Sequence, residues 1–189
     1  ICFLRDSLEK IRQVENADLF VGVAPSNESG FFTGIQGSDI RIFVQEGKEV
    51  GDKMRQAIQD RFAEGYEKVV IIGSDSPSLP VSYIKRALSS DKGLILGPST
   101  DGGYYLIGMC GKRVEVFTGV TWGTENVLQQ TCERLVREGV TLELLPVWYD
   151  IDTPEDLTFF KTHLQLIEQA GLEKPGETGR LLDTILGNS

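Results

Sequence analysis

Short apolar runs that alternate with helix-like stretches constrain the fold of this chain more than any other feature of its sequence. The run Val69–Ile72 is apolar at every position, which is typical of a strand that a parallel sheet buries on both faces. Five further runs predict strands at 19–23, 40–44, 94–96, 104–107 and 142–147. The sequence therefore predicts one α/β domain over residues 1–189, a three-layer α/β/α sandwich with a mostly parallel sheet.

Helices are predicted where apolar residues recur at helical spacing or where a helix start signal is present. Pro80 suits the first position of a helix, and Thr124 and Thr153 are typical capping residues. The predicted helices are residues 1–11, 54–62, a segment from Pro80, a segment from Thr124 to about Arg137, and a segment from Thr153. A Gly- and Ser-containing stretch, Ser26 to Ser38, separates the first two strands. The glycine-containing tail 174–189 is expected to be loosely attached.

The charge balance disfavours nucleic acid as a partner. The chain has 28 acidic residues against 19 Lys and Arg, a formal net charge of −9, and such a surface repels a phosphate backbone. Three cysteines without a C-x-x-C pair favour a reduced, cytoplasmic setting. No apolar run is long enough to predict a membrane span. An acidic site that handles phosphate needs a cation, and carboxylates are its natural ligands.

Three acidic segments follow predicted strands, where open α/β sheets bind their ligands. Asp75 directly follows the most apolar strand, and it is interpreted either as a metal ligand or as an Asx-turn residue. Asp150 and Asp152 are two apart and face the same side of an extended segment; a shared cation would relieve their repulsion, although Asp152 also suits a helix N-terminus. Asp101 belongs to a loop with Gly102 and Gly103 that is either a ligand contact or a tight turn.

Other common signatures are absent. The sequence contains no G-x-x-x-x-G-K-[ST] loop and no G-x-G-x-x-G, which removes the usual ATPase and dinucleotide motifs. His163 is the only histidine, and it is predicted to lie on a helix face. A histidine-based catalytic triad is therefore excluded.

The acidic segments together resemble one family. The segments Gly73-Ser74-Asp75-Ser76-Pro77-Ser78-Leu79-Pro80, Asp101-Gly102-Gly103-Tyr104-Tyr105 and Asp150-Ile151-Asp152-Thr153-Pro154 are similar to the DUF2064 group of glycosyltransferase-A-fold proteins, and Val120-Thr121-Trp122 with Thr124 fits a further family segment. The resemblance implies a Rossmann-like fold and relatives among phospholactate guanylyltransferases and molybdenum-cofactor nucleotidyltransferases. It also implies Mg²⁺ or Mn²⁺ at Asp75 with Asp152, and Asp150 is expected to join them.

The resemblance also implies where a nucleotide or nucleotide-sugar would bind. The expected contacts are Ser74, Ser76, Pro77, Gly102, Gly103, Tyr104, Trp122 and Thr124. Asp75, Asp101 and Asp152 are the expected catalytic residues, with Asp101 orienting a small-molecule acceptor. Members of the family also have an N-terminal strand and a P-x-x-G-x-x-K-T-R loop that nothing in this sequence matches. We therefore expect that residues upstream of Ile1 supply both.

These observations predict a metal-dependent transferase with a nucleotide or nucleotide-sugar donor. Departure of a nucleoside diphosphate from a sugar would make the protein a glycosyltransferase. Attack at an α-phosphorus would make it a nucleotidyltransferase. A third hypothesis, from another class, is a non-catalytic nucleotide- or partner-binding domain on the same scaffold, because a fold does not fix a function.

Overall fold

Strands and helices alternate along most of the chain, as the sequence predicts. The computed structural model describes residues 2–24, 39–172 and 174–186. The elements in chain order are α1 (Cys2–Ile11), β1 (Leu19–Val23), β2 (Ile40–Val44), α2 (Val50–Ala63), β3 (Lys68–Ile72), α3 (Val81–Ser89), β4 (Leu94–Pro98), β5 (Tyr104–Cys110), α4 (Val127–Glu138), β6 (Leu142–Leu144), α5 (Pro154–Gln169) and α6 (Gly176–Leu186). Ile1 and the stretch Ser26–Ser38 lie outside the described residues.

The main sheet has four strands in the order β3-β5-β4-β6. Strand β5 is antiparallel to both β3 and β4, whereas β4 and β6 are parallel. Strands β3, β4 and β6 therefore point the same way, and their carboxyl ends meet at one edge of the sheet. The predicted mostly parallel sheet is confirmed, with β5 as the strand that runs in the opposite direction.

Helices cover both faces of this sheet, which confirms the predicted α/β/α layering. On one face, Ile58 of α2 and Leu135 of α4 join a cluster with the sheet residue Leu96. On the other face, Ile84 of α3 packs with Ile95. Neighbouring strand residues thus bury opposite faces, as the strand period of two requires. Each fully buried large apolar side chain contributes about 1.5–3 kcal/mol relative to exposure, so these clusters hold the layers together.

A register shift at the end of the β4–β5 pair redirects two tyrosines. Gly97 pairs with Leu106, but Pro98 pairs with Tyr104, so Tyr105 is an extra residue on β5. As a result Tyr104 packs with the α2/α4 side, whereas Tyr105 packs with the α3 side. The Tyr105 hydroxyl donates to the Pro146 carbonyl at 2.9 Å, which ties the bulge to the segment after β6.

Strands β1 and β2 form a separate parallel pair. A cleft of about 1880 Å³ separates this pair from the main sheet, and we call it the inter-sheet cleft. Every residue of β1 and every residue of β3 lines it. Successive side chains of a strand point to opposite faces of the sheet, so a cleft over one face would be lined by every second residue. Because consecutive residues line this cleft, both strands face it with their backbone edges.

The tail 174–189 was expected to be loosely attached, and in the structure its residues 176–186 are helical. They form α6, which packs on α1. The buried carboxylate of Asp6 accepts hydrogen bonds from the N–H groups of Glu177 and Thr178 at 2.9 and 2.8 Å, and from the Thr178 hydroxyl. Asp6 therefore caps the first turn of α6 although it lies 171 residues earlier in the sequence. No local sequence pattern predicts this tertiary contact.

Two predicted boundaries also shift. Helix α4 begins at Val127 rather than at Thr124, because Thr124 lies in a turn whose carbonyl accepts from the Val127 N–H. Strand β6 ends at Leu144, after which the chain continues to a single bridge between Ser99 and Trp148. Within the described residues, no helix has the length and apolar character needed to cross a membrane.

Candidate functional site

Four aspartates lie beyond the edge of the sheet where β3, β4 and β6 end. Asp75 follows β3, Asp101 follows β4, and Asp150 and Asp152 follow β6. Asp101, Asp150 and Asp152 each offer a carboxylate oxygen within 4.8 Å of the other two. Asp75 lies near these three aspartates. Burial raises the pKa of its carboxyl group, and the negative charges of the other three aspartates raise that pKa further. Three of these acids therefore have carboxylate oxygens close to one another, and the fourth, Asp75, interacts with their charges.

The loop that carries Asp75 is held by backbone hydrogen bonds on two sides. The Gly73 N–H donates to the Tyr105 carbonyl at 2.9 Å, and the Ile151 N–H donates to the Asp75 carbonyl at 3.1 Å. A Cβ at Gly73 would lie 2.6 Å from Asp75 Oδ1. Glycine at this position therefore lets the carboxylate fold back over the end of β3, where it becomes partly buried.

Asp150 and Asp152 lie in the extended segment that leads into α5. The Ser99 hydroxyl donates to Asp150 Oδ2 at 2.8 Å. Burial raises the pKa of Asp150, as do the charges of Asp101 and Asp152, while the Ser99 hydrogen bond opposes the increase. Asp152 is exposed, and its N–H donates to Asp156 Oδ2 at 3.1 Å in the cap of α5. Asp152 thus belongs both to the acidic cluster and to a helix start.

Asp101 is an exposed residue of the tight turn between β4 and β5. Its Oδ1 accepts from the Gly103 N–H at 2.8 Å, and the Ser99 N–H donates to the Gly103 carbonyl at 3.1 Å. Gly102 has a φ of +89°, and a Cβ there would lie 2.2 Å from the Glu125 carbonyl oxygen. The turn interpretation therefore accounts for Gly102, while one oxygen of Asp101 still reaches the acidic cluster.

The predicted nucleotide contacts divide into two groups. Ser74, Gly103, Tyr104, Trp122 and Thr124 line the inter-sheet cleft together with the four aspartates, whereas Ser76, Pro77 and Gly102 do not line its wall. Ser76 is buried, and its hydroxyl has no hydrogen-bond partner among the described residues. The Pro77 carbonyl accepts a hydrogen bond from Lys10.

Tyr104 and Trp122 form part of the core as well as the cleft wall. Their rings meet edge to face with centroids 6.3 Å apart. The Tyr104 hydroxyl is buried, which raises its pKa. The Trp122 indole lies over Gly51, where a Cβ would come within 2.2 Å of the ring. Both side chains are therefore fixed in place at the rim of the site.

Sequence reasoning named the loop that contains Ser99 but missed the role of Ser99 itself. Its hydroxyl holds Asp150 across 51 residues. The only available signal was its position directly after β4, at the same sheet edge as the acids. Gln45 and Glu125 also line the cleft and were not predicted.

Solved structures similar to this chain share its fold. A proposed nucleotide-diphospho-sugar transferase from Desulfovibrio desulfuricans G20 has a TM-score of 0.84 and 27% identity, covering 98% of this chain and 82% of the other. CMP:2-keto-3-deoxy-manno-octonic acid synthetase, complexed with CTP, has a TM-score of 0.59 and 10% identity over 87% of this chain and 88% of its own. A 4-diphosphocytidyl-2C-methyl-D-erythritol synthase from Anaerococcus prevotii DSM 20548 has a TM-score of 0.58 and 13% identity, covering 86% of each chain.

The synthetase and the synthase are only 10% and 13% identical to this chain, so they show a shared fold and nothing more. No protein of curated function matches the sequence. One family profile matches residues 7–124, more than half of the chain, and it includes the Asp75 and Asp101 segments. The chain therefore belongs to the DUF2064 family, described as uncharacterized proteins conserved in bacteria.

Proposed function

We propose that this protein is a metal-dependent transferase whose donor is a nucleotide or a nucleotide-sugar. The observation that carries the proposal is the convergence of Asp75, Asp101, Asp150 and Asp152 at the carboxyl ends of three strands. Ligands of open α/β sheets bind at such an edge. The D. desulfuricans structure, named for this kind of activity, supports the same assignment.

The acidic cluster fits a divalent cation. Carboxylate oxygens are the ligands that Mg²⁺ and Mn²⁺ prefer. Three of them, from the Asp101 turn and from the Asp150–Asp152 segment, lie within 4.8 Å of one another. Because burial and mutual repulsion raise the pKa values of Asp75 and Asp150, a cation would relieve an existing cost. Asp75, Asp150 and Asp152 would hold the metal. Once bound, the metal would neutralise charge on the donor phosphates and on the leaving diphosphate.

The residues around the cluster have distinct proposed roles. Ser99 orients Asp150 through its hydroxyl. Asp101, exposed and held in its turn by the Gly103 N–H, would orient the acceptor. Tyr104 and Trp122 would form a rigid wall beside the donor, since both are packed into the core and cannot move without disturbing it.

Two transfer reactions fit this arrangement. The name of the D. desulfuricans protein favours glycosyl transfer, which releases a nucleoside diphosphate. The shared fold of the synthetase complexed with CTP gives the second candidate, nucleotidyl transfer, which releases pyrophosphate from a nucleoside triphosphate. Chromatography of the phosphate products separates the two reactions for any donor that reacts.

The first experiment is a thermal-shift screen of nucleotides and nucleotide-sugars, with and without MgCl₂ or MnCl₂. A ligand at 100 times its Kd stabilises the folded state by about 2.7 kcal/mol. For a chain of this length the melting temperature should then rise by about 5–10 °C. The increase should require the metal and should disappear in Asp150→Asn. Asp91→Asn is the matched control, because Asp91 is an exposed acid paired with Lys92.

A screen in which no nucleotide or nucleotide-sugar gives a metal-dependent shift would overturn the proposal. Metal-dependent binding without any phosphate product from any donor and acceptor pair would support instead the non-catalytic nucleotide-binding domain. Equal shifts in the wild type and in Asp150→Asn would show that the nucleotide binds away from the acidic cluster.

A further inference from the structure

Four side chains beside the acidic cluster form one continuous hydrogen-bonded chain, which we call the Ser78–Tyr149 relay. Trp148 Nε1 donates to Ser78 Oγ at 3.3 Å. Ser78 Oγ donates to the Tyr149 hydroxyl at 2.8 Å. The Tyr149 hydroxyl lies 2.6 Å from His163 Nδ1. Ser78 is buried, and the other three side chains are partly buried.

The relay connects the segments that carry the acids. Ser78 lies three residues after Asp75, in the loop that follows β3, and Tyr149 directly precedes Asp150. His163 lies on α5, the helix that begins just after Asp152. One backbone bond, from the Ile151 N–H to the Asp75 carbonyl, joins the first two of these segments. The relay adds a side-chain connection between them, 71 residues apart in sequence.

The chemistry of the four groups fixes the direction of the relay. The Trp148 indole N–H can only donate. Burial lowers the pKa of His163, so its ring is neutral at pH 7 and Nδ1 can accept. The Tyr149 hydroxyl accepts from Ser78 and can donate its own proton to Nδ1. Every donor then points from Trp148 toward His163, and each buried group has a partner.

Aromatic packing holds the Tyr149 ring independently of its hydroxyl. The ring stacks on Trp148 with centroids 5.5 Å apart and meets Phe159 edge to face at 5.0 Å. Removing the hydroxyl alone should therefore break the relay and leave the ring in place. This separation allows the relay to be tested without dismantling the aromatic cluster.

The four aspartates repel one another, and this repulsion opposes the close approach of the Asp75 loop and the Asp150 segment. We infer that Ser78, Tyr149 and His163 are positioning residues that hold these two segments at metal-binding separation. This inference rests on the proposed function, since it assigns the relay to the same metal site. Groups that orient metal ligands without touching the metal commonly change metal affinity by 10–100-fold when they are removed.

Calorimetric titration with MnCl₂ tests the inference on the full chain. Tyr149→Phe and Ser78→Ala should each raise the Kd for Mn²⁺ about tenfold. The double variant should be no worse than the single ones, because each change breaks the same chain. Tyr83→Phe is the matched control: Tyr83 meets Trp148 edge to face at 5.6 Å but is not a member of the relay, so its Kd should not change.

The outcomes separate the two proposals. If the wild type does not bind Mn²⁺, the proposed function fails and the inference fails with it. If the wild type binds Mn²⁺ and both relay variants bind it equally well, only the inference is overturned. An equal loss of affinity in Tyr83→Phe would also overturn it, since general loosening of the aromatic cluster would then explain the effect. Should Tyr149→Phe not fold, Ser78→Ala alone decides the question.

Discussion

The surroundings of Asp75 oppose the charge of its carboxylate. Burial, and then three neighbouring carboxylates, raise its pKa in the folded state. The folded state therefore binds its proton more tightly than the unfolded state, and the stability of the metal-free protein decreases as pH rises from 3.8 through the raised pKa. In the proposed metal site, Asp75 would therefore favour cation binding at the expense of the stability of the metal-free protein.

We expect Asp75→Asn to stabilise the metal-free protein at pH 7 and to abolish most of its metal binding. Each kcal/mol of relieved repulsion raises the melting temperature of a chain of this length by about 2–4 °C. The Kd for Mn²⁺ should increase at least about tenfold. Thermal melts at pH 7 and calorimetry measure the two effects. Calorimetry that finds the same Mn²⁺ affinity in both proteins would remove Asp75 from the metal site.

Gly102 offers a test of the turn between β4 and β5. Its φ of +89° is unfavourable for a residue with a side chain, and a Cβ at this position would lie 2.2 Å from the Glu125 carbonyl oxygen. Gly111 also has a positive φ, +76°, but has open space around it. Gly111→Ala should cost about 1 kcal/mol for backbone strain alone, and Gly102→Ala about 2 kcal/mol more because of the collision. Urea unfolding measures both. Weaker nucleotide binding in Gly102→Ala at unchanged stability would favour the ligand-contact interpretation instead.

The residues of the acidic cluster were predictable, but the side chains that position them were not. Asp75, Asp101 and Asp150 follow apolar strands, and strand ends of one direction meet at one sheet edge. The bonds from Ser99 to Asp150 and from Tyr149 to His163 span 51 and 14 residues and follow no period. His163 does lie on a helix, as predicted, but its ring contacts Tyr149 across the helix start. Such pairings depend on tertiary geometry alone.

At the scale of elements, the start of α5 holds part of the site. Thr153 and Asp156 form a reciprocal capping box, and the same Asp156 carboxylate accepts from the Asp152 N–H. The Thr153 hydrogen bond is the main reason that the pKa of Asp156 is lowered. Because its pKa is lowered, Asp156 stabilises the folded state at pH values above its ordinary pKa of 3.8. This contribution is lost as the pH falls through the folded-state pKa.

Thr153→Ala should lower the free energy of unfolding by about 1 kcal/mol at pH 7, because it removes both bonds of its side chain. The difference from the wild type should decrease below pH 3.8 as Asp156 becomes protonated. Thr162→Ala is the control, since Thr162 is an exposed residue of the same helix that only bonds back to the Thr158 carbonyl. Its effect should stay within about 0.5 kcal/mol. Urea unfolding at both pH values measures the difference; equal effects of the two changes would exclude the capping role.

Periodicity predicted the existence of most elements and left their direction open. Because Val69–Ile72 is apolar at every position, the pattern indicates that both faces of this strand are buried. It does not indicate whether the adjacent strand is parallel or antiparallel. The antiparallel course of β5 follows from the tight Asp101–Gly103 turn, for which the sequence left two interpretations. Helix α6 was missed because its anchor, Asp6, lies in α1.

At the scale of the whole molecule, the two sheets leave two strand edges facing the inter-sheet cleft. Among the described residues, β3 pairs only with β5 and β1 only with β2. The site lies at the rim of this cleft, since Asp75 and Asp152 line it together with β1 and β3. An extended segment lying between β1 and β3 would join the sheets and border the site.

Native-state hydrogen exchange of the 189-residue chain tests whether the β3 edge is free. The Gly73 N–H donates to β5, so in an antiparallel pair the amides of Val69 and Ile71 also face β5. The amides of Val70 and Ile72 then face the cleft. These two should exchange at least about 100-fold faster than Val69 and Ile71, because no backbone partner closes over them.

Strand β4 supplies the internal control for this measurement. It pairs with β5 on one edge and with β6 on the other, so the amides of Ile95 and Leu96 should both be slow. If fast and slow amide exchange alternate along β3 while both β4 amides exchange slowly, then β3 has an unpaired edge and the sheet as a whole is not loose. Slow exchange at Val70 and Ile72 would instead mean that another segment or a second copy pairs with β3. The cleft would then be closed in solution, and the donor would have to reach the acidic cluster from the strand ends alone.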